Sequence, residues 1–145
     1  MKYCFLVVVT ALMISACQER AKPDNVTSLP AGDSTFLSLK DTAQAHLKMF
    51  IDSLAAHHAD TNYRFIIKSD FLDGEKHEHM WSTIIGYEDD KFSGQFSDSA
   101  YYLKNIHPGD PVRVSRKDVE DWAMFDYKRD ITIGNYSEKY LKSKM

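Results

Sequence analysis

The sequence predicts an α+β fold, in which one N-terminal amphipathic helix packs on a strongly bent antiparallel β-sheet of about five to six strands. Three observations lead to this fold class. Apolar residues recur at three- and four-residue spacing over residues 38–57, which indicates a helix with one buried face. Beyond residue 62 the spacing changes to two, as in strands that bury one side. Turn-forming residues separate these alternating segments, which is typical of antiparallel hairpins.

The helix is expected over about residues 38–57. Ser38 can cap its first turn, while His57 and His58 lie near its C-terminal end, where positive charge suits the helix dipole. Two histidines can also indicate a metal site, but adjacent helical residues point about 100° apart and converge poorly on one ion. Capping is therefore the favoured interpretation. The apolar positions of the helix are Leu39, Ala43, Leu47, Phe50, Ile51 and Leu54.

Three strands are expected to follow as a meander. The first alternates from residue 63, and the turn Leu72-Asp73-Gly74-Glu75 leads into the second, which covers about residues 77–88. One face of this second strand is expected to carry Met80, Ile84 and Gly86, and the other His79, Trp81, Thr83, Ile85 and Tyr87. The third strand follows an acidic turn and places on one side Phe92, Gly94 and Phe96.

The C-terminal third is expected to complete the sheet. In order, the pattern predicts a short strand at 101–103, a turn at 108–111, a strand containing Val112 and Val114, a helical turn at 117–121, and a hairpin of 121–127 with 131–133. Lysines at positions 139, 142 and 144 are interpreted as the solvated end of a short tail.

The N-terminal segment resembles a bacterial lipoprotein signal. Lys2 gives a positive start, an apolar run follows, and Leu12-Met13-Ile14-Ser15-Ala16-Cys17 ends at a cysteine that would be acylated by palmitate-type chains. The apolar run is about half of the roughly 20 residues that span a bilayer, so a retained transmembrane helix is not favoured. An ordinary secretory signal cleaved near Ala16 is the alternative.

The expected organisation is a signal peptide at 1–16, a lipidated Cys17 with a flexible tether at 17–34, and a single domain at 35–145. The tether is rich in polar and turn-forming residues, so it could not form a core. Because Cys4 leaves with the signal and Cys17 carries lipid, the domain has no thiol for disulfides, catalysis or metal binding. Gln18 follows the cysteine, and the absence of Asp there favours the periplasmic face of the outer membrane in a Gram-negative cell.

The charge balance gives no sign of nucleic-acid binding. The chain has 18 basic and 21 acidic residues, a formal net charge of −3, and no basic stripe interleaved with aromatic residues. The sequence also lacks the G-x-S-x-G, P-loop and dinucleotide-binding motifs. No cofactor and no nucleic-acid partner are therefore expected.

A series of short motifs follows in order along the chain. They are Phe71-Leu72-Asp73-Gly74-Glu75, Glu78-His79-Met80-Trp81, Phe92-Ser93-Gly94, Leu103-Lys104-Asn105, Gly109-Asp110, Val114, Asp121-Trp122 and Gly134-Asn135-Tyr136. The series resembles the YegJ-like family of bacterial proteins, a domain of unknown function, over about residues 39–136. The resemblance implies a small α+β domain, sometimes secreted or lipid-anchored, with no established reaction. The chain departs from the family at Asn135, where members usually carry a second glycine, although Asn tolerates positive φ.

The Glu-His-Met-Trp block supplies the candidate binding residues. His77, His79 and Trp81 share one face of a strand, so two imidazoles about 7 Å apart at their backbones could hold a divalent ion with a third ligand from elsewhere. A hydrogen-bonded or solvated His-x-His pair is the commoner structure. The candidate binding cluster comprises Glu78, His79, Trp81, Asp121 and Trp122.

The two tryptophans can be core residues or stacking platforms in a cleft, and the core is favoured. Asp121 is interpreted as an acceptor that fixes a turn. The predicted function is a lipid-anchored cell-envelope protein whose domain binds an envelope protein or peptide without catalysis. The alternatives are a metal-assisted hydrolase using His77 and His79, and an inhibitor or immunity-like protein of a toxin or envelope hydrolase.

Overall fold

The computed structural model describes residues 34–144 and confirms the α+β class. In chain order the elements are α1 (Ser34–His57), β1 (Tyr63–Asp73), β2 (Lys76–Glu88), β3 (Lys91–Phe96), β4 (Pro111–Ser115), a 3-10 turn (Arg116–Asp118), β5 (Val119–Asp126), β6 (Ile131–Gly134) and α2 (Tyr136–Lys142). The predicted signal peptide, Cys17 and the tether up to residue 33 lie outside the described residues. None of the helices in the described range is long and apolar enough to cross a membrane.

The strands form one antiparallel sheet in the order β4-β3-β2-β1-β5-β6. Strands β1 to β4 pair with their neighbours in sequence, as the predicted meander requires. Strand β5 joins the other side of β1, and β6 pairs with β5 as the predicted closing hairpin. Strand β1 therefore lies between the Glu-His-Met-Trp segment of β2 and the Asp-Trp segment of β5.

Helix α1 covers one face of the sheet and buries the side chains that its periodicity predicts. These are Ala43, Leu47, Phe50 and Leu54. The ring centroid of Phe50 lies 5.4 Å from that of Trp122 and 5.6 Å from that of Phe65. Because burying apolar area contributes about 25 cal/mol per Å², this aromatic interface is a main source of stability.

The opposite side of the sheet is called the outer face below. It is defined by the paired residues of β1 and β2 that alternate with the core positions, which are Ile66, Lys68, Asp70 and Leu72 with Thr83, Trp81, His79 and His77. Most of these side chains are exposed or half-buried, whereas their neighbours on the helix-covered face are mostly buried. The outer face is therefore the side of the sheet on which a partner could reach the predicted site residues.

Helix α1 begins four residues earlier than predicted, at Ser34 rather than Ser38. The hydroxyl of Ser38 donates to the carbonyl of Thr35 at 2.7 Å, within the first turns of the helix. The predicted N-cap at Ser38 is therefore wrong, because the helix already includes the four residues before it, 34–37. At the other end, His57 stacks on Tyr63 with ring centroids 4.3 Å apart.

A β-bulge changes the faces of the last residues of β2. The pairing passes from Ile84 with Gly94 to Gly86 with Ser93, so Ile85 is an extra residue. Tyr87 consequently pairs with the buried Phe92, and their ring centroids lie 4.6 Å apart. The predicted faces of Gly86 and Tyr87 are wrong because strict alternation stops at the bulge.

One further prediction of secondary structure is wrong, and one helix was not predicted. Residues 101–103 do not form a strand, since their backbone N–H groups bond to a side-chain carboxylate. The lysines at 139, 142 and 144, interpreted as the solvated end of a tail, are exposed, but the first two belong to helix α2, which was not predicted from the sequence. Its buried Ser137 packs against β5 through hydrogen bonds described below.

Candidate functional site

The five residues of the predicted cluster divide between the two faces of the sheet. His79, Trp81 and Asp121 belong to the outer face, because Trp81 and Asp121 pair with the same residue of β1, Lys68, from opposite sides. Trp122 and Glu78 lie on the helix-covered side. The cluster is therefore not one site, and each member has its own surroundings.

Glu78 anchors the long loop between β3 and β4. Its carboxylate accepts hydrogen bonds from the backbone N–H groups of Tyr101 at 2.5 Å, Tyr102 at 2.8 Å and Leu103 at 3.2 Å. These three hydrogen bonds fix the backbone of the loop where the side chain of Leu103 is buried in the core. A carboxylate that accepts three N–H groups replaces the strand partner that this segment lacks, which is a structural role.

Asp121 is buried and joins β5 to the start of α2. It accepts from the N–H of its neighbour Trp122 at 2.8 Å, from the N–H groups of Tyr136 at 3.2 Å and Ser137 at 2.7 Å, and from the Ser137 hydroxyl at 2.6 Å. Because a buried charge is tolerated only when it is well hydrogen-bonded, this residue fixes the turn into α2. Its interpretation as a turn-fixing acceptor is confirmed.

Trp122 is fully buried and donates its indole N–H to the carbonyl of Ala43 in α1 at 2.9 Å. The core interpretation is confirmed for this tryptophan. Trp81 differs, because its side chain is half-buried on the outer face and the ammonium of Lys68 lies 5.6 Å from its ring centroid. Of the two indoles, Trp81 is the one that an external ligand can contact.

His79 is held by a carboxylate that sequence reasoning did not identify. Its Nδ1–H donates to Glu120 at 2.6 Å, and the ammonium of Lys40 in α1 lies 3.7 Å from the other oxygen of that carboxylate. The hydrogen bond to Glu120 raises the pKa of His79 above 6.5, although partial burial opposes the shift. Glu120 is an extra residue of β5, because the pairing with β1 skips it between Val119 and Asp121.

The second imidazole has a separate partner. His77 Nδ1 lies 2.7 Å from a carboxylate oxygen of Asp70, so His77 and His79 are directed at different carboxylates. Within residues 34–144 no group of three or more His, Cys, Asp and Glu side chains could hold a metal ion. The geometry expected of the metal-assisted hydrolase, with both imidazoles aimed at one carboxylate, is absent from this part of the chain.

Charges on the outer face are largely paired with one another. The ammonium of Lys68 lies 3.8 Å from a carboxylate oxygen of Glu138 at the start of α2. The imidazoles of His79 and His77 lie against the carboxylates of Glu120 and Asp70, and Arg64 donates to the hydroxyl of Thr83 at 3.4 Å. A strongly ionic ligand would have to displace existing partners, whereas a neutral ligand would not.

These features define a small α+β domain in which the carboxylates of Glu78 and Asp121 organise the fold and Trp81 lies half-buried on the outer face of the sheet. The chain belongs to the family described as an uncharacterised protein conserved in bacteria (DUF2314), whose model matches residues 33–145. The match begins one residue before α1, so it spans every element of the fold. No curated protein and no solved structure matches the chain.

Proposed function

We propose that this chain is a YegJ-like, lipid-anchored protein of the bacterial cell envelope, whose domain binds a protein or peptide partner without catalysis. The outer face of the sheet is the proposed binding surface, with Trp81 at its centre. The observation that carries the proposal is the half-exposed indole of Trp81 beside Lys68 and His79, whose polar groups already contact Glu138 and Glu120.

The chemistry of this surface favours an uncharged segment of a partner. An indole contributes a large apolar contact area and an N–H donor, which is why tryptophan is common at the centres of protein interfaces. Lys68 and His79 lie near it, and each already has a carboxylate partner within the domain, Glu138 for Lys68 and Glu120 for His79. A polypeptide segment with apolar and hydroxyl side chains would use the indole without breaking these pairs.

The arrangement gives less support to catalysis. The pair of His79 and Glu120 resembles the base and orienting carboxylate of many hydrolases, but such a base needs a substrate cleft beside it. Two cavities of the described domain, of about 330 and 310 Å³, are lined by other residues. The hydrogen bond between His79 and Glu120 is better explained as a structural link between β2 and β5.

The envelope location rests on the sequence of the leader. A diacyl or triacyl Cys17 would provide the two or more hydrocarbon chains that stable anchoring requires. The tether predicted at residues 17–34 would then hold the domain away from the lipid headgroups, with a root-mean-square reach of roughly 20–25 Å if flexible. Such a tether lets the outer face meet a partner in the envelope.

The anchor is tested by expressing the full chain and a Cys17→Ser variant in a Gram-negative host. The expected result is an acylated N-terminal cysteine in the intact mass of the parent protein and release of the variant into the soluble periplasmic fraction. An unmodified cysteine, or a chain that keeps its leader in the cytosol, contradicts the envelope assignment.

The binding surface is tested by placing a photo-crosslinking residue at Thr83 on the outer face, and at Met49, an exposed residue of α1, as the control. The expected result is a discrete crosslinked product from position 83 that disappears when Trp81→Ala is added. A product that forms equally from position 49, or that survives Trp81→Ala, contradicts the proposed surface.

A further inference from the structure

The sheet opens at the end opposite to the Glu-His-Met-Trp block. The pairing of β1 with β2 begins at Ile66 and Thr83, whereas residues 63–65 pair only with β5 and residues 84–88 pair only with β3. The bulge at Ile85 lies at the start of this divergence. Bulges often redirect a strand beside a functional site, so the space between the two strands is worth testing as a binding site.

A cavity of about 330 Å³ occupies this region, between the last turns of α1 and the bulged end of β2. This volume is at the lower end of the range typical of small-molecule sites. Its lining residues are Ile51, Leu54, Ala55, His58, Ile85, Gly86 and Tyr87. We call it the α1–β2 cleft.

The lining of the cleft is apolar apart from two groups. The hydroxyl of Tyr87 is engaged, because it donates to the carboxylate of Asp90 at 2.7 Å. Burial and this hydrogen bond raise the pKa of Tyr87, so the hydroxyl remains a donor to Asp90. The imidazole of His58, whose Nδ1 lies 3.4 Å from the carbonyl of Ala55, is therefore the lining side chain that can donate to a ligand without breaking an ionic hydrogen bond, while the Tyr87 oxygen can still accept.

One apolar side chain of the cleft wall is largely exposed to solvent. Ile85 is 64% exposed, the highest exposure among the large hydrophobic residues of the described domain, and it forms part of the cavity wall. No Lys, Arg, Asp or Glu side chain lines this cavity. Apolar walls without ionic groups favour ligands with a hydrocarbon body and penalise charged ones, which would lose hydration without gaining a partner.

We propose that the α1–β2 cleft binds a small uncharged molecule that has a compact hydrocarbon body and one hydrogen-bonding group directed at His58. The hydrocarbon body packs on Ile51, Leu54 and Ile85. This site is distinct from the Trp81 surface and does not depend on the proposed envelope function.

The test uses benzyl alcohol as the probe and methyl NMR of isoleucine-labelled protein as the readout. Saturable shifts are expected at Ile51 and Ile85, while Ile131, an exposed isoleucine of β6, serves as the internal control. Benzoate and benzylamine have the same ring but carry charge, so weaker binding is expected for both. Toluene has the same ring without a hydroxyl, so its affinity measures the contribution of the apolar contacts alone.

Matched variants assign the shifts to the cleft. Ala55→Trp fills the cavity and is expected to weaken binding at least about tenfold, equivalent to about 1.4 kcal/mol. Ala45→Trp makes the same change at another exposed alanine of α1, outside the cleft, and should leave the affinity unchanged. His58→Ala should weaken benzyl alcohol several-fold but not toluene, because only the alcohol uses the imidazole.

Three results would overturn the proposal. They are the absence of saturable shifts at both cleft isoleucines, shifts that persist unchanged in Ala55→Trp, and a preference for either charged probe over benzyl alcohol. Sedimentation velocity adds a further outcome, since a dimer that Ile85→Lys dissociates would mean that a second copy of the chain covers the cleft instead.

Discussion

Replacing Gly134 with alanine is expected to destabilise the protein much more than the same replacement at Gly74. Both glycines have positive φ, +77° at Gly134 and +63° at Gly74, where an L-residue costs about 1–2 kcal/mol. A Cβ at Gly134 would also lie 2.3 Å from the carbonyl oxygen of Trp122 and 2.6 Å from its ring, whereas a Cβ at Gly74 meets nothing within 4 Å. Relief of this overlap would shift β6 or the largest core side chain, at a further cost of about 1–3 kcal/mol.

The expected loss is therefore roughly 2–5 kcal/mol for Gly134→Ala and about 1–2 kcal/mol for Gly74→Ala. Urea unfolding of the two purified variants and the parent protein measures both losses, and near-UV circular dichroism reports the environment of Trp122. Because the variants share the conformational penalty, their difference isolates the contact with Trp122. Equal losses from the two substitutions would refute this reasoning.

Three further predictions concern the carboxylates and the buried indole. The pKa of His79 is raised in the folded state, so the stabilisation from its bond to Glu120 is fully present below pH 6.5 and is lost as pH rises through the folded pKa. In Glu120→Gln, the free energy of unfolding should therefore change less over this pH range. Glu78→Gln should speed amide hydrogen exchange of residues 101–103 and cost about 1–3 kcal/mol, because an amide cannot accept all three N–H bonds. Trp122→Phe should cost about 2–4 kcal/mol in urea unfolding, through a lost hydrogen bond and a cavity.

Each of these predictions has a distinct contradicting result. An unchanged pH profile in Glu120→Gln would mean that another group controls the titration. Unaltered exchange at residues 101–103 in Glu78→Gln would show that the loop is held by its apolar contacts alone. A neutral Trp122→Phe substitution would show that the core collapses around the smaller ring.

Periodicity in the sequence predicted the helix, the meander and the closing hairpin because these elements depend on local pattern. Helix α1 buries the predicted positions Ala43, Leu47, Phe50 and Leu54, and β3 buries Phe92 and Phe96. The contact between Asp121 and Ser137 could not be predicted from the local pattern. They are 16 positions apart in sequence, and only the turn after β6 brings them into contact.

The wrong predictions for Tyr87 and for residues 101–103 share a physical cause. In both places, contacts with another strand or side chain decided a structure that the spacing of apolar residues does not reveal. The bulge at Ile85 turned Tyr87 toward the core; the neighbouring Gly86 is a residue type that often marks a bulge, but alternation was assumed to continue through it. Residues 101–103 are large side chains of the kind common in strands, yet the carboxylate of Glu78 satisfies their N–H groups. Glu78 lies 23 to 25 residues before these N–H groups in the chain, whereas the bulge depends on how β2 pairs with the next strand, β3.

For the candidate site, the residue types were readable from the sequence but their grouping was not. The strand period placed His77, His79 and Trp81 on one face, as the register of β2 with β1 now has them. Glu120 became the partner of His79 only because a second bulge and the order of the strands carry it across β1. Alternation within a strand is set by backbone geometry and can be read from sequence, whereas contacts across strands depend on how the whole sheet assembles.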